Sequence, residues 1–261
     1  MILVVDIGNT HTVIGAYRGD DLVVDWRLKT DQHQTGDEYG VILRSLFVSE
    51  GFSFDLIEGV IISCVVPPMV TTMEQLCKRY FNQDPKFIGP ETDMGMKICY
   101  DNPMEVGADR IVNSVAAFEK YRRSLIVVDF GTATTFDYIS PDGDYMGGVI
   151  APGITISGEA LFERASKLPR VDFVGPERVV GRNTVSSMQA GIVFGHASLV
   201  DGIVKRIKNE VKTDPFIVAT GGLALLISSH AKTIDEVDEY LTLRGLKIIF
   251  DRNSKKKMVN K

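Results

Sequence analysis

Hydrophobic positions along the chain fall into short β-branched runs closed by glycine or proline, separated by stretches with helical spacing. Two of the runs share one pattern. Ile2-Leu3-Val4-Val5-Asp6-Ile7-Gly8-Asn9-Thr10 opens the chain, and Leu125-Ile126-Val127-Val128-Asp129-Phe130-Gly131-Thr132-Ala133-Thr134-Thr135 stands much later. Each is an apolar run, an aspartate, an apolar residue, a glycine, and small hydroxyl or amide residues. Such a run reads as a buried strand with the aspartate at its end, and the glycine segment as a tight turn into the next strand. Thr12 to Tyr17 predicts a second strand, Arg18-Gly19-Asp20-Asp21 a hairpin turn and Leu22 to Leu28 a third strand. After the second copy come Thr134 to Ile139, a turn at Pro141-Asp142-Gly143-Asp144, and Met146 to Ile150. An antiparallel meander is therefore expected twice.

Between the copies, Thr35-Gly36-Asp37-Glu38 starts a helix with Val41, Ile42, Leu46 and Phe47 as its apolar face. Gly59 to Val66 reads as a buried strand, Met69 to Phe81 as a helix and Lys86 to Ile88 as a short strand. A helix is expected over Asp109 to Tyr121, with Ile111, Val112, Val115 and Phe118 inward. Ala151-Pro152-Gly153-Ile154 leads into a helix rich in small residues. Another helix is expected from Val185 to Ile207 with Thr184 as its cap, and its small residues permit close packing. Phe216 to Thr220 reads as a strand, followed by Gly221-Gly222-Leu223 and an apolar helix. No Gly/Ser linker interrupts the chain, and the expected boundary is a helix-to-strand connection, giving lobes 1–121 and 122–261.

Composition narrows the partners. The 261 residues are 44% hydrophobic, enough for a substantial core. A net charge of -5 argues against nucleic acid, whose phosphates select basic surfaces. The basic run Lys255-Lys256-Lys257 reads as a solvated end. Cys64, Cys77 and Cys99 are odd in number and lack metal spacing, which fits thiols in a reducing cytoplasm. Met1 leads straight into a strand, so no signal peptide is expected, and no apolar run approaches the roughly 18 residues of a membrane span. The expectation is a cytoplasmic protein with no membrane partner.

The candidate chemistry lies in the turns. Backbone N–H groups and hydroxyls in such a turn suit phosphate oxygens. An aspartate there repels phosphate unless it holds a cation or a cation's water. Two such turns suggest two related lobes facing a nucleotide. Strand, Gly221-Gly222, helix is a place where backbone can approach a flat ligand, as well as an ordinary tight turn. The stretch Tyr100-Asp101-Asn102-Pro103-Met104-Glu105-Val106-Gly107-Ala108-Asp109-Arg110 is dense in polar signals. Asp109 at a helix start can be a cap, contributing about 1 kcal/mol. It can equally accept an alcohol proton, being ionised at neutral pH with an ordinary pKa near about 3.9. Arg110 beside it could hold a carboxylate. No Gly-x-x-x-x-Gly-Lys-Ser/Thr or Gly-x-Gly-x-x-Gly sequence is present, and His11, His33, His196 and His230 show no zinc spacing.

With these pieces assembled, the chain resembles the type III pantothenate kinases. They belong to the superfamily of acetate kinase, sugar kinases, heat-shock chaperone ATPases and actin. The resemblance is carried in order by Asp6 to Thr10, Asn102-Pro103, Glu105 to Arg110, Asp129 to Thr134, Gly148 to Gly153, Asn183-Thr184 and Thr220-Gly221-Gly222. Gly181-Arg182-Asn183 stands where Gly-Lys-Asn is more usual, exchanging one cation for another. It implies an α/β fold of duplicated ribonuclease-H-like, actin-like ATPase lobes with a cleft between them. It implies ATP-dependent phosphorylation of pantothenate to 4'-phosphopantothenate, the first step toward coenzyme A. Asp6, Ile7, Gly8, Asn9, Thr10, His11, Thr12, Val13 and Thr132 would then contact ATP. Tyr100, Gly107, Ala108, Asp109, Arg110 and Thr184 would line the pantothenate site, with Asp109 as general base. Mg²⁺ would accompany ATP, Asp129 would hold K⁺ or NH₄⁺, and the chain would form a homodimer. Another kinase of the superfamily and a nucleotide-binding regulator of the same fold are the competing readings; the Gly-Ala-Asp-Arg element argues against the first, and an intact Asp109 against the second, since a switch needs no base.

Overall fold

The computed structural model describes residues 1–259. Strands β1 (Ile2–Ile7), β2 (His11–Arg18) and β3 (Asp21–Lys29) form the first antiparallel meander. Helix α1 (Gly36–Ser49) follows, and β4 (Gly59–Cys64) returns parallel to β1. Helix α2 (Pro68–Leu76) continues through a π-helical turn at Cys77–Phe81, short of the uniform α-helix expected to Phe81. Strand β5 (Lys86–Phe87) pairs parallel with β4.

Helix α3 (Ala108–Tyr121) leads to the second meander, β6 (Leu125–Phe130), β7 (Ala133–Ile139) and β8 (Tyr145–Pro152). Helices α4 (Ile154–Arg164) and α5 (Thr184–Val211) come next, then β9 (Phe216–Thr220), parallel to β6. Short helix α6 (Ala224–Ser228), β10 (Glu236–Val237) and helix α7 (Leu241–Val259) complete the described chain. The two five-stranded sheets, β3-β2-β1-β4-β5 and β8-β7-β6-β9-β10, share one topology, three antiparallel strands and then two parallel ones. The expected α/β fold with a duplicated meander is the observed one.

The chain divides into two compact units. The first comprises Met1–Gly95, Met104–Ala116 and the chain from Thr242, and the second comprises Met96–Pro103 and Ala117–Leu241. The units are interleaved, where contiguous halves 1–121 and 122–261 were expected. The main departure is α7, whose Leu243, Leu246 and Ile249 are buried in the first unit. Lys255 is exposed, and the side chains of Lys256 and Lys257 lie outside the described residues.

Each unit has its own apolar core. In the first, Leu3, Val5, Ile7, Ile62, Leu43 and Phe47 meet between the sheet and its helices. In the second, Ile126, Val128, Phe136, Val193, Val200 and Ile217 do the same. Thr35 caps α1 in a reciprocal box with Glu38, as the sequence signals. The inward face of α1 is Tyr39, Leu43 and Phe47, at four-residue spacing, and Val41 is exposed. At 3.6 residues per turn, Val41 lies too far round the helix from that stripe. The cap of α5 is Asn183, whose side chain accepts the Ser186 N–H, and Thr184 is the first helical residue instead of the cap.

Candidate active site

In the first unit β1 lies between β2 and β4, and the register sets Asp6 beside Val13 and Ser63. The Gly8 N–H donates to the His11 carbonyl at 3.0 Å, closing the turn. Thr30 braces it. Its hydroxyl donates to the Gly8 carbonyl (2.7 Å) and accepts from the Thr12 hydroxyl (2.9 Å), while its N–H donates to the Thr10 carbonyl (3.0 Å). Ile7 and Thr12 are buried, so their side chains build the turn; Asn9, Thr10 and His11 are exposed on it, and Gly8 and Val13 are half-buried. Sequence reasoning missed Thr30, which belongs to no motif and acts through long-range hydrogen bonds.

Asp109 belongs to the same unit. The Gly107 carbonyl accepts the N–H groups of Arg110 (3.1 Å) and Ile111 (3.3 Å), which begins α3. Asp109 therefore sits inside the first turn, and its Oδ1 accepts the Arg110 N–H at 2.9 Å. A Cβ at Gly107 would stand 2.5 Å from that Oδ1, so the glycine makes room for the carboxylate. Ala108 is half-buried and Arg110 buried beside Asp109.

These surroundings change the charges. Asp6 keeps partial solvent access, yet burial among protein atoms, and then the Asp109 charge, push it up to about 7 against the opposing Ser63 hydroxyl. Burial also raises Asp109, opposed by the Arg110 N–H and guanidinium. The expected ordinary aspartate at position 109 is thus replaced by one with stronger proton affinity. The mutual influence of Asp6 and Asp109 was not legible in the sequence, because tertiary folding alone brings them together.

The second unit repeats the frame. Asp129 on β6 stands beside Thr135 on β7 and Thr220 on β9. In both units a buried hydroxyl on the parallel neighbour, Ser63 or Thr220, flanks the aspartate. The Gly131 N–H donates to the Ala133 carbonyl at 3.1 Å, and Thr132 is exposed on the turn. Gly221 has φ +94, and a Cβ there would meet Asp129 Oδ1 at 2.5 Å. The glycine pair after β9 therefore lets backbone press against the carboxylate.

Tyr100 packs at a tilt of 54° against Tyr145, ring centroids 6.4 Å apart, and the buried Tyr145 hydroxyl donates to Asp137 Oδ1 at 2.8 Å. A buried acid inside the apolar β7 was the available signal for that support, and motif reading passed over it. Thr184 lies elsewhere in this unit. It lines an open cavity of 630 Å³ with Leu161, Leu168, Arg182, Asn183 and Met188. Asp6 and Asp109 thus come together in the first unit, and Asp129 and Thr132 share one turn in the second.

The family model for type III pantothenate kinase matches residues 2–206. The chain belongs to the type III pantothenate kinase family. A type III pantothenate kinase of Syntrophus aciditrophicus (strain SB) is 56% identical over 254 residues, 97% of this chain and 100% of that protein. One of Syntrophobacter fumaroxidans (strain DSM 10017 / MPOB) is 58% identical over 256 residues, 98% of this chain and 99% of that protein. Two solved structures are alike in fold alone. They are a putative Baf family transcriptional activator from Campylobacter jejuni (TM-score 0.61, 19% identity, 97% and 99% covered) and a putative 2-dehydro-3-deoxygalactonokinase from Sinorhizobium meliloti (TM-score 0.56, 11% identity, 97% and 96% covered). As a type III pantothenate kinase the chain is a phosphotransferase, and kinase chemistry brings ATP with a divalent cation. No described helix is long and apolar enough to cross a membrane.

Proposed function

We propose that the chain transfers the γ-phosphoryl group of ATP to the primary hydroxyl of pantothenate, giving 4'-phosphopantothenate, the first step toward coenzyme A. The observation that carries the residue assignment is the half-buried Asp109, seated against Gly107 and Arg110 and raised in proton affinity. Asp109 accepts the hydroxyl proton as the oxygen bonds to phosphorus and the bond to the β-phosphate bridging oxygen breaks, leaving ADP. A carboxylate raised toward the working pH is a better base than an ordinary one. Beside Asp109 in the first unit, Gly107, Ala108 and Arg110 contact pantothenate in this reading; Tyr100 and Thr184, in the second unit, are assigned to the same ligand by the family resemblance alone. The turn from Asp6 to Val13 in the first unit receives ATP phosphate in this reading, and Thr132, on the second unit's turn, is assigned to ATP by the family resemblance alone.

Among the described residues, no group of three or more His, Cys, Asp or Glu could hold a metal. Mg²⁺ entering on ATP fits this donor set, since it keeps waters and needs few carboxylates; Asp6 would face its water shell. Its charge neutralises phosphate oxygens. Asp129, in a turn of hydroxyl and backbone oxygens, would hold the larger K⁺ or NH₄⁺. The chain works as a cytoplasmic homodimer in this reading.

The decisive experiment is turnover of pantothenate with labelled ATP by wild type and Asp109→Asn. Turnover should fall by about 10² to 10⁴ while ATP still binds. A folded variant with wild-type turnover refutes the assignment of the base, and no turnover by the wild type refutes the function.

A further inference from the structure

Helix α7 lies beyond residues 2–206, the stretch that the family model matches, and it grips the first unit at two places. Near its start, the Thr242 hydroxyl donates to Asn113 Oδ1 at 2.7 Å. One turn on, Gly245 meets α3 so closely that a Cβ would run into the carbonyl oxygen and Cγ1 of Val112. Val112 and Asn113 lie one helical turn beyond Asp109 and share its rigid rod.

Near its far end, α7 holds another part of the chain. Asn253 Oδ1 accepts the Asp93 N–H at 3.0 Å, and its Nδ2 donates to the Asp93 carbonyl, also at 3.0 Å. The Arg252 guanidinium donates to the Met94 carbonyl. Asn253 reads Asp93 as a neighbouring strand would, through both backbone groups at once. Thr242 and Arg252 stand about 15 Å apart along the helix axis.

The two grips therefore bracket one segment. Asp93 and Met94 precede it, Val112 and Asn113 follow it, and between them lie Tyr100, Gly107 and Asp109. We propose that α7 is a positioning element for the acceptor site, fixing both flanks of this segment through Thr242, Gly245, Arg252 and Asn253. The proposal rests on the acceptor-site reading above. A loop with both ends anchored on one helix has fewer conformations to lose when substrate binds.

The test uses the full chain, after pantothenate turnover by the wild type has been established, so that failure of the acceptor reading is seen separately. Thr242→Val and Asn253→Ala are measured for KM of pantothenate at saturating ATP, for Kd of ATP alone and for thermal stability. Thr242→Ser, which keeps the hydroxyl, serves as the conservative control. The expected result is a KM for pantothenate raised by on the order of tenfold, worth about 1.4 kcal/mol. The Kd for ATP should be unchanged and the serine variant should match wild type. A merely structural helix gives a different pattern, in which KM for pantothenate and Kd for ATP worsen together in step with lost stability. That pattern overturns the proposal, and so does an unchanged KM in Thr242→Val. Should Asn253→Ala fail to fold, the valine and serine pair at position 242 decides the matter alone.

Discussion

Asp6 makes the free protein sensitive to pH in a direction opposite to that of most carboxylates. Unfolded, it titrates near 3.8; folded, it is raised to about 7. Below the lower value both states hold the proton, and Asp6 contributes no pH dependence. Between the two values the folded state keeps a proton the unfolded state has lost, so stability falls as pH rises, and above about 7 the loss is complete. Three pKa units correspond to at most about 4 kcal/mol, reduced by the solvent access Asp6 retains. Asp6→Asn should therefore be more stable than wild type at pH 8 and equal to it at pH 3, read from urea denaturation without nucleotide. A variant no more stable at pH 8 would show that Asp6 is not strained by its charge. Asp129 supplies a second expectation. A carboxylate where phosphates lie repels them until a cation binds, which reverses the sign. Replacing K⁺ by Na⁺ at constant ionic strength should depress turnover by on the order of tenfold, equivalent to about 1.4 kcal/mol. Asp129→Ala should be slow in either salt. Equal rates of the wild type in both salts would leave Asp129 as a turn residue only.

Among the elements, α1 offers the cleanest energetic test. Thr35 Oγ1 accepts the Glu38 N–H, and Glu38 Oε2 accepts the Thr35 N–H at 2.7 Å. Thr35→Ala removes half of that box and should cost about 1 kcal/mol, lowering Tm by about 2–4 °C, while Thr35→Ser should cost less. Turnover should not change in either, since neither box residue touches the aspartate turns. The elements also show what a sequence can carry. Strands β1 to β9 were legible as bounded runs, and both aspartate turns because glycine and aspartate are locally encoded; the two-residue β10, Glu236–Val237, is too short and polar to read. The inward face of α1 was not, since Val41 and Ile42 are as apolar as Leu43 and only the full contact set chooses between faces. Helix α7 was passed over because Arg244, Lys247 and Asp251 interrupt Leu243, Leu246 and Ile249. Lys247 is nevertheless buried, its charge met by Asp251 at 2.5 Å and Asp20 at 3.5 Å. The sequence reading put the α5 cap at Thr184, one residue late; Asn is the stronger N-cap of the two, and Asn183 is the observed cap.

For the whole molecule the open question is the number of chains at work, and α5 bears on it. Its small residues divide: Ala190 and Ala197 are buried, whereas Ser187 and Gly191 line the open cavity. Gly191, Gly195 and Gly202 lie at spacings of four and seven, on one helix face, and a Cβ at any of them would meet nothing within 4 Å outside the helix's own backbone, among the described residues. Each glycine costs a helix interior roughly 1 kcal/mol relative to alanine. Nothing within the described chain offsets that cost. Close approach of a second copy would, because helices that meet through glycine can bring their backbones together. Exposed apolar side chains gather in the same unit, with Val179 at 70% and Val180 at 80% exposure, alongside Ile156, Leu161, Phe162 and Val185. The homodimer reading predicts opposite effects of one substitution on fold and on assembly. Gly195→Leu should leave the isolated chain as stable or more so, since it improves helix propensity and meets empty space. It should also shift the sedimentation profile from dimer to monomer and lower pantothenate turnover. A Gly195→Leu protein that remains a fully active dimer would place the interface elsewhere, and a fully active wild-type monomer at assay concentration would remove the homodimer from the mechanism.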